Sequence, residues 1–441
     1  MPNNETRDTA AAPRFISTRG GTEAVSFAQA LLTGLAPDGG LYIPDQLPKL
    51  HPSDWESTSS FAELAGRVLG KWLGAEIEER TLEALLAEAL SFPVPLVPLE
   101  GAGWEGVSVL ELFHGPTLSF KDFGARTMAR LMAHFLADSS DPLTILVATS
   151  GDTGSAVADG FAGQDGIRVV LLYPKGQVSP VQEQQLIIER PGVQVFAVEG
   201  TFDDCQRLVK AAFADSNLSS LRLSSANSIN IGRLLPQMLY YIWAVRASAS
   251  RAISFCVPSG NLGNLTAGVL AAWCGLSVRH FLAAHNANDF FPRFLRGLDA
   301  EMRDSIRTLS NAMDVGAPSN FERLQRLLQG KNMRTLIQGV SVSDADTIAS
   351  MRRVYEETGY VADPHTAVGL EAVRRFRMRT SGEDPMIVLA TAHPAKFPET
   401  VEEALGFSPE TPSRLAAFWE QQTAVMPLAP NMAALRGHLL R

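Results

Sequence analysis

From residue 143 onward, continuous apolar runs alternate with longer segments of mixed polarity. "LTILVAT" (143–149), "IRVVLLY" (167–173), "VQVFAVE" (193–199), "AISFCVP" (252–258), "VRHFLAA" (278–284) and "MIVLATA" (386–392) are apolar at adjacent positions rather than at alternate ones. That pattern belongs to strands buried on both faces. Between them lie segments with helical spacing. One of these, "TFDDCQRLVKAAFADS" (201–216), opens on Thr201 with Asp204 three residues later, an arrangement that caps a helix start. Buried strands separated by helices predict a parallel sheet with crossover helices, so the class is α/β. Two regions break the rhythm. Residues 1–98 combine an extended start, a turn-rich segment "GLAPDGGLYIP" (34–44) and the acidic, apolar-periodic "IEERTLEALLAEALSF" (77–92), which reads as a helix. They form a separate N-terminal module. Residues 285–342 hold only short helical pieces.

Composition narrows the function. The 441 residues suggest two or three domains at about 150 residues each. With 38 basic and 47 acidic residues the formal net charge is -9, without a run of either sign, which argues against nucleic-acid binding because a phosphate backbone needs a basic face. The 3 cysteines, Cys205, Cys256 and Cys274, form no C-x-x-C pair, so neither a disulfide framework nor a zinc site is expected, and a reducing cytoplasm fits. The first residues lack the apolar core of a signal segment, and "AGVLAAWCGL" (267–276) is too short to span a bilayer. A soluble, cytoplasmic protein without a membrane partner is expected.

In open parallel sheets ligands bind beyond the C-terminal strand ends, where helix N-termini offer unpaired N–H groups. Three loops stand there. "TSGDTGSA" (149–156) and "SGNLGNLTAG" (259–268) place glycines among hydroxyls and amides just before helices, a composition suited to cradling an anion. "TAHPAKF" (391–397) carries Thr391, His393 and Lys396 after the last strand. Any one such loop is equally a tight strand-to-helix turn; several together favour a site for a ligand with more than one anionic group. No G-x-G-x-x-G follows a strand, and the P-loop, H-E-x-x-H and G-x-S-x-G patterns are absent. His114, His365 and His393 sit in loops beside proline or glycine, where structural hydrogen bonding and proton transfer are both open readings.

"FHGPTLSFKDFGAR" (113–126) sets Lys121 between Phe120 and Phe123 in a segment otherwise apolar, small or turn-forming. An ordinary surface lysine next to Asp122 is one reading. The other is an amine kept partly dry by two phenylalanine walls, whose neutral form is then available near neutral pH. Such an amine can form a Schiff base with a carbonyl substrate or with pyridoxal phosphate, whose phosphate "SGNLGN" could hold.

These motifs, in this order, resemble those of the threonine synthase family of fold type II pyridoxal-phosphate enzymes: "FHGPTLSFKDFGAR", "ATSGDTGSA" (148–156), "NSINIGRLLPQ" (227–237), "VPSGNLGN" (257–264) and "TAHPAKF". The entry segments "FISTRGG" (15–21) and "SFAQALLTGLAPDGGLYIP" (26–44) are similar to that family's N-terminal module. Departures are small: Leu262 stands where phenylalanine is common, and Ser119 where alanine is common. The resemblance implies a tryptophan synthase β-like fold, with two open parallel-sheet α/β domains and an additional N-terminal module. The corresponding division is 1–98, a smaller domain 99–248 with the Schiff-base lysine and the carboxylate loop, and a larger domain 249–441 with the cofactor-phosphate loop.

It also implies site roles. Lys121 would be the catalytic, cofactor-bearing amine. Gly260, Asn261, Leu262, Gly263 and Asn264 would hold the cofactor phosphate, and Thr391 the ring nitrogen. Ser150, Gly151, Asp152, Thr153 and Gly154 would receive the substrate carboxylate, with the Asp152 carboxylate turned away or orienting the loop. Ser228, Asn230 and Arg233, with Lys396 as a further candidate, would meet the phosphate of O-phospho-L-homoserine. The expected reaction is a β,γ-replacement giving L-threonine and phosphate, by a monomer that needs no metal. A related lyase such as a serine/threonine dehydratase, or a non-catalytic relative, is the alternative; Arg233 and the N-terminal module argue against the first and Lys121 against the second.

Overall fold

The computed structural model describes residues 12–440 apart from 249, 251, 299 and 381–383. Its strands, in chain order, are β1 (Phe15–Ser17), β2 (Tyr42–Pro44), β3 (Leu96–Pro98), β4 (Val107–Glu111), β5 (Leu143–Ala148), β6 (Ile167–Pro174) and β7 (Val193–Val198). They continue as β8 (Arg222–Ser224), β9 (Ile253–Pro258), β10 (Val278–His285), β11 (Ile337–Ser341), β12 (Met386–Ala390) and β13 (Met426–Leu428). The six apolar runs are β5, β6, β7, β9, β10 and β12, each within two residues of the expected ends. Every residue of β5, β9 and β12 is buried, as a strand covered on both faces requires.

Two parallel sheets carry the molecule. The larger runs β11-β10-β9-β12-β4-β3, with only the β3 edge antiparallel, and the smaller runs β13-β7-β6-β5-β8. Neither sheet is a contiguous block of chain. β4 lies between 99 and 248 yet pairs with β12 of the larger sheet, and β13 lies beyond 249 yet pairs with β7 of the smaller one. The boundaries 99–248 and 249–441 therefore do not separate the sheets. β4 escaped the apolar-run criterion because Ser108 and Glu111 interrupt it, and β13 is a three-residue edge strand. Helix Phe202–Ala214 has the expected capping box between Thr201 and Asp204, and the acidic helix spans Glu79–Ala89.

The N-terminal module shares the main core. Helix Phe61–Leu73 starts on the Ser60 cap and buries Trp72 completely, and Phe61 packs edge-on to Phe123 at 5.5 Å and to Trp243 at 5.6 Å. Each such aromatic burial contributes about 1.5–3 kcal/mol relative to exposure. Phe123 thus faces the core, against Phe61, Phe92 and Tyr240. It is not a second wall beside the Lys121 amine: two positions along a helix turn a side chain by about 200°. Among the described residues no helix is long and apolar enough to cross a membrane.

Candidate active site

Adjacent strands deliver three of the four site loops to one edge of the larger sheet. β12 lies between β9 and β4, so the segments after Pro258, Ala390 and Glu111 leave side by side. The third returns along the second: the Leu112 and Phe120 N–H groups donate to Ala390 and Thr391 carbonyls, and His393 N–H donates to the Leu118 carbonyl. Thr391 is therefore fixed next to the residue that precedes Lys121.

Lys121 begins helix Lys121–Leu136, which has no side-chain cap. The helix sits tightly against the 227–237 motif, because a Cβ on Gly124 would meet the Arg233 carbonyl at 2.8 Å and its Nε at 2.9 Å. Half-buried, with its Nζ 4.6 Å from the Phe120 ring centre, the Lys121 amine has its pKa lowered from 10.5 to about 8. Desolvation is the main cause; the Asp152 carboxylate opposes it, and the Arg233 and Lys396 cations add to it. The positive end of the helix dipole acts in the same direction.

The fourth loop comes from the smaller sheet, after β5. Asp152, buried at the start of helix Asp152–Phe161, makes a 2.7 Å ion pair with Lys396 and accepts from Gln182 Nε2 at 2.9 Å. Burial alone would raise its pKa; the Lys396 and Lys121 ammonium groups and these hydrogen bonds outweigh that and hold it at about 2. Lys396, fully buried, also donates to the Thr117 carbonyl, so its charge is committed within the protein. The pair ties the 149–156 loop to the loop after β12. Thr149 Oγ1 accepts from the Gly151 and Gly154 N–H groups and shapes the turn. Helix Asp152–Phe161 has no side-chain cap from its N-cap Gly151, so with the Gly154 N–H taken by Thr149 the Asp152 and Thr153 N–H groups are the first-turn donors open to a ligand.

Helix Gly263–Trp273 is the third uncapped start. Its N-cap, Leu262, has φ 60°, one of two positive-φ residues other than glycine among the described residues; the other, Leu118, precedes Lys121 by three positions. Such backbone costs of order 1 kcal/mol and tends to mark functional sites. Gly260 is there because a Cβ would lie 2.8 Å from Met313 Cα. The Asn264 side-chain Oδ1 accepts from the Tyr240 and Tyr241 hydroxyls, while its buried Nδ2 has no protein partner. An unsatisfied donor on the first turn of an uncapped helix fits a phosphate group. Asn261 bonds to Ser228, and Arg233, buried, donates from Nη1 to the Ala226 carbonyl and leaves Nε without a partner. Burial lowers the Arg233 pKa to about 10, with Asp122 opposing.

Other residues of the motifs make hydrogen bonds within the protein. Asn230 caps the short helix after it and donates to the Leu31 and Ser225 carbonyls, which anchors the N-terminal module. Asp122 accepts from the Thr117 N–H and hydroxyl and holds the 115–122 turn; burial, against those bonds, raises its pKa to about 6. His365 bonds Asp363 and Ala312, His114 bonds Glu111, and His393 accepts from Ala395 N–H with its pKa pressed by burial to about 4. Gln182, Asn320 and Arg323 also support the site although no motif surrounds them, and Thr117 does so from within the 113–126 motif, where no role had been given to it.

The chain matches the family model described as pyridoxal-phosphate dependent enzyme over residues 90–392. It matches those for the threonine synthase N terminus over 14–90 and the threonine synthase C-terminal region over 366–438. It is 42% identical to threonine synthase of Escherichia coli K12 over 94% of this chain and 96% of that one. The crystal structure of the Escherichia coli enzyme superposes with a TM-score of 0.88 at 40% identity, over 97% of this chain and 99% of that chain. A pyridoxal-phosphate-bound threonine synthase from Brucella melitensis superposes with 0.89 at 36% identity, with the same coverage. A motif series in family order, a desolvated amine at one of three uncapped helix starts, and likeness along nearly the whole length agree: the chain belongs to the threonine synthase family of pyridoxal-phosphate-dependent enzymes.

Proposed function

We propose that this site takes O-phospho-L-homoserine and water to L-threonine and phosphate, with Lys121 as the residue that holds pyridoxal phosphate and moves protons. The observation that carries the assignment is the Lys121 amine itself. With a pKa of about 8, roughly a tenth of it is neutral at pH 7, against fewer than about one in a thousand for an ordinary lysine. When bound, pyridoxal phosphate supplies an electron-accepting ring that acidifies the carbon bearing the substrate amine. Residues 260–264 hold its phosphate through the uncapped helix start and the unpartnered Asn264 Nδ2. Thr391 offers the ring nitrogen a hydroxyl without a counter-charge.

Residues 150–154 receive the substrate carboxylate at the first turn of helix Asp152–Phe161; the Asp152 charge does not repel it because Lys396 neutralises that carboxylate. Ser228 and Arg233, whose buried Nε has no protein partner, are assigned to the substrate phosphate, and Asn230 keeps that segment in place. Lys121 would hold the cofactor, and its Nζ, when not so engaged, would accept a proton from the substrate carbon and return one, with Phe120 excluding water on one side. The buried free thiols Cys205, Cys256 and Cys274 suit a reducing cytoplasm. Product analysis tests the reading: incubation with O-phospho-L-homoserine yields equimolar phosphate and threonine, whereas 2-oxobutyrate in place of threonine would assign a dehydratase-like lyase.

A further inference from the structure

Helix Asn320–Leu327 brings a buried guanidinium, Arg323, behind the substrate and cofactor loops. Its Nε donates to the Tyr42 carbonyl of β2 at 3.1 Å, Nη1 to the Ser228 carbonyl at 3.3 Å and to Asn320 Oδ1 at 2.5 Å, and Nη2 to the Ile229 carbonyl at 2.7 Å. A guanidinium only donates, so it fixes the Asn320 amide with its oxygen toward Arg323 and its NH2 toward Ser228 Oγ, at 3.3 Å. The second amide is fixed likewise. Ser319 N–H, also purely a donor, meets Asn261 Oδ1 at 2.5 Å, and this turns Asn261 Nδ2 onto Ser228 Oγ at 2.6 Å. A hydroxyl has two acceptor positions and one proton. Both acceptor positions of Ser228 are filled by amide donors, and among the described residues its proton finds no protein acceptor.

We infer that Asn320 and Arg323 are positioning residues that hold Ser228 as a one-way hydrogen-bond donor to a phosphate oxygen. The inference rests on the proposed reading of Ser228 as a ligand contact and adds to it the reason its proton points outward. The phosphate belongs either to the cofactor, since Ser228 abuts Gly263 and Asn261, or to the substrate, since it shares a motif with Arg233. Burial lowers the Arg323 pKa to about 9, a sign of how little water reaches this support.

The test uses Ser228→Ala, Asn320→Asp and the double variant, each titrated as cofactor-free protein with pyridoxal phosphate and each assayed for the O-phospho-L-homoserine KM. Asn320→Asp keeps the acceptor that Arg323 needs but replaces the donor facing Ser228 by a second acceptor, so the Ser228 proton turns inward to the new carboxylate. We expect a thermal midpoint no lower than that of the wild type, because a buried guanidinium gains a carboxylate. We also expect a loss of about 10- to 100-fold, the worth of one hydrogen bond to a charged group, in the same quantity that Ser228→Ala impairs. A loss in cofactor affinity assigns the proton to the cofactor phosphate; a raised KM with cofactor affinity intact assigns it to the substrate phosphate. The double variant should be no worse than Asn320→Asp alone, because both changes remove one interaction. Additive losses, which simple charge repulsion would give, or wild-type binding by Asn320→Asp, would overturn the inference. Should the wild type fail to turn over O-phospho-L-homoserine, the proposed reaction falls and the cofactor titration alone decides: unchanged affinity in Asn320→Asp overturns the inference.

Discussion

Lys121 is held in a place that disfavours its charge. Its folded pKa, about 8, lies below the unfolded 10.5, so the cost of the buried ammonium is fully present below pH 8 and fades as pH rises toward the unfolded value. Across that window the unfolded chain binds more protons, and this residue's contribution to stability rises with pH. Cofactor-free Lys121→Met should therefore show a higher urea midpoint than the wild type at pH 7, with the gain narrowing by pH 10; an equal gain at both would mean the amine is not desolvated. Asp152 is the counterweight. Asp152→Asn strands the buried Lys396 charge and should cost about 3–5 kcal/mol of stability. It also removes the attraction that raises the Lys121 pKa, so in the cofactor-free protein the pH dependence of Lys121 labelling by an amine-selective reagent moves to lower pH. An unmoved labelling profile would show that Asp152 does not act on the Lys121 amine. The sequence exposed Lys121 through its odd neighbours, but it could not show that Phe123 turns into the core, since that needs the helix phase and the facing Phe61 and Phe92.

At the scale of elements, continuous apolar runs made the central strands readable, and the Thr201 and Asp204 pair marked a helix start to the residue. What stayed hidden were short or interrupted strands. β4 carries polar residues because it is the sheet's last parallel strand before the β3 edge, and β11 is an edge strand with Gln338 and Gly339. Ser228 and Arg233 were legible from their motif, whereas Asn320 and Arg323 were not, because their partners lie about 90 to 280 residues away in sequence. The 259–264 loop, proposed to hold the cofactor phosphate, makes a sharper prediction. Gly260→Ala would set a methyl against the backbone at Met313, which cannot swing aside as a side chain can, so the loop must shift. Pyridoxal phosphate affinity, read by titration of the cofactor-free protein, should fall by about tenfold or more, equivalent to roughly 1.4 kcal/mol. Unchanged affinity would place the phosphate elsewhere.

Over the whole molecule, the N-terminal module is continuous with the catalytic core and not an appendage to it. Phe15, Phe27, Trp72 and Leu86 belong to the same buried cluster as Phe123, Tyr241 and Phe255, and the Leu50 N–H bonds the Cys274 carbonyl. A chain starting at residue 91 should therefore fail to reach a folded, cofactor-binding state, and the full chain should lose module and core structure in one thermal transition. A soluble truncated chain that binds pyridoxal phosphate would contradict this shared core. The sheets likewise exchange segments, β4 toward one and β13 toward the other, so the site depends on the complete chain path. The account as a whole turns on one amine, and one measurement tests it most directly: turnover of O-phospho-L-homoserine by the wild type and by Lys121→Ala, following phosphate and threonine together. The prediction is equimolar products from the wild type and a loss of about a hundredfold or more in Lys121→Ala; wild-type turnover by Lys121→Ala would contradict it.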